Sequence, residues 1–300
     1  MNFKKSTLVI ATLCAVAGSA FAQDSGTLKK VKDTGVIALG HRESSIPFSY
    51  YDEKQQVVGY SRDFQMKVVE AVKQKLNMPN LQVKNIPVTS QNRIPLVQNG
   101  TVDIECGSTT NNAERQQQVA FSDTIFIIGT RLMTKKDSGI KDFPDLKGKT
   151  VVTTAGTTSE RLLRKMNQDK NMGMTIISAK DHGESFHTLE TGRAVAFMMD
   201  DALLAGERAK SKTPDEFVIV GTPQSKEAYG CMMRKGDPEF KKVVDDAIAQ
   251  VEKSGEATKI YEKWFQSPIP PRGLNLKFPE SEDMKALFQN PNDKAIESAV

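Results

Sequence analysis

The feature that most restricts this fold is a recurring unit in which a short β-branched or apolar run precedes a helix-capping signature and an amphipathic stretch. Residues 150–154 are such a run; Thr157 with Glu160 three residues on forms a capping box, and Leu162 and Leu163 follow. The unit returns as Thr175 to Ser178, then Asp181 with Glu184, with Gly192 as a stop. Val36 to Leu39 reads as a buried strand, and Phe64, Val68, Val72 and Leu76 line one helix face. Val102 to Glu105 is strand-like and leads to a helical turn capped at Asn111, with Glu114 reaching back. Ala194 to Met199 is a further buried strand, ending on Asp200 and Asp201. Asp237-Pro238 opens the last helix, with Phe240, Val244, Ala247 and Val251 inward and Gly255 as its stop. This alternation favours an α/β fold over an all-β one.

The N-terminus sets the compartment. Lys4 and Lys5 precede the apolar run Leu8 to Val16 and the small residues ending in Ala20, Phe21 and Ala22, the three parts of a secretory signal. Residues 1–22 are expected to be removed, leaving a soluble chain from Gln23. Leu13 before Cys14 argues against a lipid anchor there. Cleavage removes two of 41 basic residues, leaving 39 against 37 acidic ones, a balance that argues against nucleic acid as a partner. Cys106 and Cys231 remain, and in an oxidising compartment a disulfide between them is expected, the alternative being two buried free thiols. About 278 residues remain, near the size at which single cores stop growing, so two lobes are expected.

Open α/β sheets place ligands at the carboxyl ends of strands, beside helix N-termini that suit a carboxylate. The termini after Gly107 and after Gly156 are candidate anion cradles. No nucleotide loop, nucleophile elbow or deaminase signature is present. His182 and His187 lie about 140° apart on a helix, so they form no two-histidine metal face. No catalytic residue, metal or cofactor is expected. Met198, Met199, Met232 and Met233 read as core. Gly129 to Lys136 and Thr222 to Tyr229 read as irregular crossings between lobes, and the polar tail from Pro268 onward reads as loosely ordered or wrapped on a surface, without a site.

The segments Gly40-His41-Arg42-Glu43-Ser44-Ser45, Thr89-Ser90-Gln91-Asn92-Arg93, Gly107-Ser108-Thr109-Thr110 with Glu114-Arg115 and Phe121-Ser122-Asp123, Gly156-Thr157-Thr158, and Met199-Asp200-Asp201 resemble the periplasmic polar amino-acid-binding proteins of ABC importers, above all those taking glutamate and aspartate. The resemblance runs from about Leu28 to about Ala286. It implies a two-lobed periplasmic binding protein fold with two crossover strands and a ligand cleft between lobes that close like a hinge. It divides the chain into a signal peptide (1–22), lobe 1 (23–131 and 228–270), lobe 2 (132–227) and a C-terminal tail (271–300). It implies a monomeric periplasmic protein, not an enzyme, that hands L-glutamate or L-aspartate to membrane subunits of an importer. By the same resemblance, Arg115 holds the α-carboxylate with Ser108, Thr110 and Thr158, and Asp200 takes the α-ammonium. Arg42, Arg93, Ser90 and His182 surround the side-chain carboxylate.

Charge counting points the same way. Three arginines against one aspartate leave the expected pocket positive, and an uncompensated buried charge costs roughly 3–5 kcal/mol. An acidic ligand is then favoured about a hundredfold over a neutral one, with a dissociation constant on the order of micromolar or below. Every residue has an ordinary alternative. Arg93 can flank a helix starting near Pro95, the serines and threonines can cap or turn, Asp201 competes with Asp200, and His182 can be a loop residue near the cleft. A cation in a first helical turn opposes the helix dipole, so Arg115 is the hardest to explain as surface. Three further readings stand beside the main one: a cyclohexadienyl dehydratase-like enzyme on the same fold, a sensory module, and a binding protein for a neutral amino acid such as glutamine.

Overall fold

A computed structural model of the protein describes residues 26–299. The expected leader 1–22, its cleavage site and Cys14 lie outside the described residues. Two sheets organise the chain. In the first, Val36–His41 runs parallel to both Gln82–Pro87 and Ile104–Glu105, and Ser225–Arg234 pairs antiparallel with Ile104–Glu105, Val119–Ile128 and Glu297–Ala299. In the second, Thr150–Thr154 lies parallel to Thr175–Ala179 and Ala196–Asp200, and Thr130–Lys135 lies antiparallel between Ala196–Asp200 and Phe217–Val220. The parallel strands are joined by helices, as crossover connections require.

The local signals mostly yield the expected elements. Tyr60–Leu76 is a helix that buries Phe64, Val68 and Val72. Thr157 caps Thr158–Asp169 by accepting from the Glu160 N–H at 3.0 Å, although the Glu160 carboxylate turns to the Gly156 N–H instead of closing the box. Asp181 caps His182–Glu190, and Asp237 caps Pro238–Lys253. Met198, Met199, Met232 and Met233 are all buried.

Several expectations need correction. The cap before Arg115 is Asn112, not Asn111, whose buried amide reaches Asp293. Pro238–Lys253 is not the last helix, since Glu256–Phe265 and Glu282–Gln289 follow. The stretches read as irregular crossings are mostly strand; the chain changes sheets at Gly129 and across residues 221–224. Thr130 already belongs to the second sheet and Ser225 to the first, slightly ahead of the divisions at 131/132 and 227/228. The tail is built into lobe 1: its helix buries Met284, Leu287 and Phe288, and its terminal strand pairs with Ser225–Arg234.

Cys106 and Cys231 are joined by a disulfide, with Cα atoms 4.3 Å apart. The sequence separation of 125 leaves 124 residues between them, and the bond ties the start of the Gly107–Thr110 turn to the strand that returns from lobe 2. Beside it an aromatic cluster fixes that strand. Tyr229 packs edge-on against Phe48 at 5.1 Å, and Phe48 against Phe126 at 4.9 Å, geometries that add to their burial energy. Among the described residues no helix is long and apolar enough to cross a membrane.

Candidate functional site

Both crossings meet at a buried polar cluster where the lobes face each other. Lobe 1 contributes three arginines. Arg42 follows Val36–His41; it is 1 % exposed, and its guanidinium donates to Ser108 Oγ at 3.3 Å. Arg93 opens helix Arg93–Gln98, is likewise buried, and donates to the Ser108 carbonyl at 2.9 Å and to Thr109 Oγ1 at 2.6 Å. Arg115 sits in the first turn of the short helix Ala113–Gln116. It donates to the Thr110 carbonyl at 3.0 Å and, across the cleft, to the Gly156 carbonyl at 3.4 Å.

The partners of these guanidiniums are carbonyls and hydroxyls; among the described residues no carboxylate lies within 4.0 Å of any of them. A buried cation without a counter-charge resists its own protonation. Burial accordingly pushes Arg93 down to about 10, and burial together with the nearby Arg93 pushes Arg115 down to about 9; Arg42 is lowered by burial too. Ser90 Oγ, Arg93 Nε and His182 Nε2 are buried without a hydrogen-bond partner. Their natural complement is a small, multiply anionic ligand.

Lobe 2 supplies the opposite wall. His182 begins the helix His182–Glu190 and is not a loop residue; Thr154 Oγ1 is 2.8 Å from its Nδ1. Burial, then Arg42 and Arg93, hold it well below the usual histidine range, so it stands neutral. Thr158 is the first residue of its helix, at a second helix N-terminus facing the cluster. Asp200 is buried at the end of Ala196–Asp200; it accepts from Ser159 Oγ at 3.0 Å and from the Tyr229 hydroxyl. Its side chain makes no helix cap, whereas Asp201 faces away to the Gly129 and Ala202 N–H groups. Burial, then Glu227, raise Asp200 to about 7.

Eight of the nine residues expected at the site are linked in one cluster, with guanidiniums and His182 at one pole and Asp200 at the other, while Ser90 is buried on the turn before Arg93 with its hydroxyl unpartnered. The charge count behind that expectation was incomplete. Glu105 accepts from Thr109 Oγ1 at 2.7 Å behind the arginines, and Glu227 lies at the acidic pole beside Asp200. Neither carboxylate pairs with a guanidinium, so the cluster is polarised instead of uniformly positive. Glu227, Tyr229 and Ser159 were missed. Ser225, Glu227 and Tyr229 alternate, a strand signal that points three side chains to one face, but a polar, glycine-interrupted stretch disguised it.

Two α/β lobes, two crossings and a buried polar cluster at their junction define a solute-binding protein that encloses its ligand. The chain belongs to the bacterial extracellular solute-binding proteins, family 3, whose model matches residues 37–267. It is 66 % identical to the glutamate/aspartate import solute-binding protein of Salmonella typhimurium, over 99 % of this chain and 100 % of that one. It is 65 % identical to the L-glutamate/L-aspartate-binding protein of Pseudomonas aeruginosa, over 99 % of each. An ancestral arginine-binding protein solved with arginine superposes with a TM-score of 0.68 at 31 % identity, covering 77 % of this chain and 98 % of its own. These relatives are binding proteins, the Salmonella one named for import, and the chain is likewise a binding protein and not an enzyme.

Proposed function

We propose that the protein captures L-glutamate and L-aspartate in the periplasm, as a monomer, and delivers them to the membrane subunits of an ABC importer. The observation that carries this reading is the set of three buried guanidiniums with no carboxylate within 4.0 Å among the described residues. An amino acid with two carboxylates and one ammonium supplies the missing counter-charges and presents its ammonium to the acidic pole. Arg115 takes the α-carboxylate with the help of Ser108, Thr110 and the helix N-terminus bearing Thr158, and Asp200 takes the ammonium. Arg42, Arg93, Ser90 and His182 receive the side-chain carboxylate, a neutral imidazole being able to donate to it without adding charge. The import role named for the Salmonella relative supports the delivery step. Ligand contact with both lobes stabilises the closed state by its differential affinity, and the importer reads that state.

Isothermal titration calorimetry of ligand-stripped mature protein with L-glutamate, L-aspartate, L-glutamine and L-arginine tests the reading. One-to-one binding of both acidic ligands, with glutamine at least about a hundredfold weaker, supports it. Tight binding of glutamine or arginine, or no heat from any of the four, overturns it.

A further inference from the structure

We propose that Glu227 is a closure pin, a positioning residue that fastens the two lobes together through the same threonines that face the ligand. Its kinetic consequences rest on the acidic amino-acid reading above; its effect on closure does not. Glu227 is 1 % exposed and stands on Ser225–Arg234, in the lobe 1 sheet. Its Oε2 accepts from Thr110 Oγ1 of lobe 1 at 2.6 Å and from Thr158 Oγ1 of lobe 2 at 2.7 Å. Its Oε1 accepts from Ser225 Oγ at 2.7 Å and lies 3.4 Å from Thr130 Oγ1. Ser225 opens the strand entered from the returning crossing, and Thr130 follows the outgoing one. A single carboxylate therefore touches both lobes and both crossings.

The chemistry of the donors sharpens the assignment. A threonine hydroxyl has one hydrogen, and Thr110 and Thr158 each direct it to Glu227. Neither hydroxyl is then free to donate to a ligand carboxylate, which falls to Arg115 and the backbone N–H groups. The hydroxyl lone pairs remain as acceptors, suited to the ammonium that Asp200 attracts. Opening the lobes carries Thr158 away from a strand that stays with lobe 1, so the Thr158–Glu227 bond exists only in the closed state. An interaction present in one state alone shifts the balance toward it, and a hydrogen bond to an ionised carboxylate is roughly twice as strong as a neutral one.

The test compares wild type with Glu227→Gln, Thr158→Val and the double variant. The closed population of ligand-free protein is read from distances between spin labels at Lys84→Cys and Lys170→Cys, exposed positions on the two lobes. Dissociation and association rates for L-glutamate are read by stopped flow. A pin acting after encounter raises the dissociation rate of Glu227→Gln at least tenfold and leaves its association rate within twofold. It lowers the ligand-free closed population, and the double variant adds little to either single one because both remove the same bond. A generally damaged site slows association as well, and that outcome overturns the proposal. So do dissociation rates and closed populations that match the wild type in all folded variants. If Glu227→Gln does not fold, the ligand-free closed population of Thr158→Val decides, because that readout involves no ligand. If wild type binds neither acidic amino acid, the functional reading fails while the closed population still judges the pin.

Discussion

Replacing Arg115 with methionine removes the charge and keeps much of the apolar stem, which makes it a clean probe of the cluster. Arg115 is 8 % exposed, and burial followed by Arg93 pushes its guanidinium down to about 9. Carrying that charge in the closed site without a counter-ion costs on the order of several kcal/mol. A ligand carboxylate offsets this cost, so binding and stability should respond in opposite directions. Truncating one partner of a buried, hydrogen-bonded charge pair costs about 2–5 kcal/mol, which raises the dissociation constant for L-glutamate roughly 30- to 5,000-fold. Thermal stability of the ligand-free variant should hold or rise, because an uncompensated charge has gone. Calorimetric titration with L-glutamate and a thermal melt by circular dichroism read the two effects separately. A folded variant binding within threefold of wild type refutes the reasoning, as does a loss of binding that merely follows a fall in melting temperature.

Arg42→Met and Arg93→Met should each lower the glutamate-to-glutamine affinity ratio by about ten- to a hundredfold while leaving L-glutamine binding nearly constant, measured by the same titration; an unchanged ratio removes these residues from the side-chain pole. Gly156→Ala should weaken L-glutamate binding at least about tenfold with little change in melting temperature. Gly156 has φ +77° and a Cβ there would lie 2.9 Å from the Gln91 Cα of lobe 1, so the obstruction falls on closing, beyond the ~1–2 kcal/mol strain of left-handed backbone; wild-type affinity would show that the two segments do not meet. Breaking the Cys106–Cys231 disulfide, by reduction or by replacing both residues with serine, should cost roughly 4–5 kcal/mol in denaturant unfolding for a 125-residue separation. Unchanged unfolding midpoints in reductant would remove the crosslink as a source of stability.

Most of the strand and helix units were legible because their signals are local. A cap at Thr157 or Asp181, or a four-residue spacing such as Phe64 to Val72, needs only a few neighbours to act. The arginines and Asp200 were proposed through motif resemblance, and the structure adds that the Asp200 side chain meets Ser159 and Tyr229 while that of Asp201 meets the Gly129 and Ala202 N–H groups. What failed was tertiary. Ser225–Arg234 lies between partner strands on both sides, so its order comes from pairing and not from its polar, glycine-containing sequence, and Glu227 was hidden with it. The terminal strand Glu297–Ala299 is likewise ordered by pairing with that same strand. Nothing local marks Glu105 as the acid behind the arginines, since its neighbours read simply as buried strand.

The nesting of one sheet inside the other sets an order of assembly. Every strand of the second sheet comes from one contiguous stretch, Thr130 to Val220, whereas the first sheet needs Val36–His41 from one end of the chain and Ser225–Arg234 and Glu297–Ala299 from the other. As the polypeptide emerges from the ribosome or an export channel, lobe 2 can assemble from local contacts while lobe 1 waits for the C-terminal residues, and long-range strand pairing is intrinsically slow. Cys106 likewise has no native partner until Cys231 has emerged. A premature stop anywhere in the last quarter of the chain would therefore spare the inserted lobe and leave the enclosing one unfinished, with its central sheet edge open to other chains.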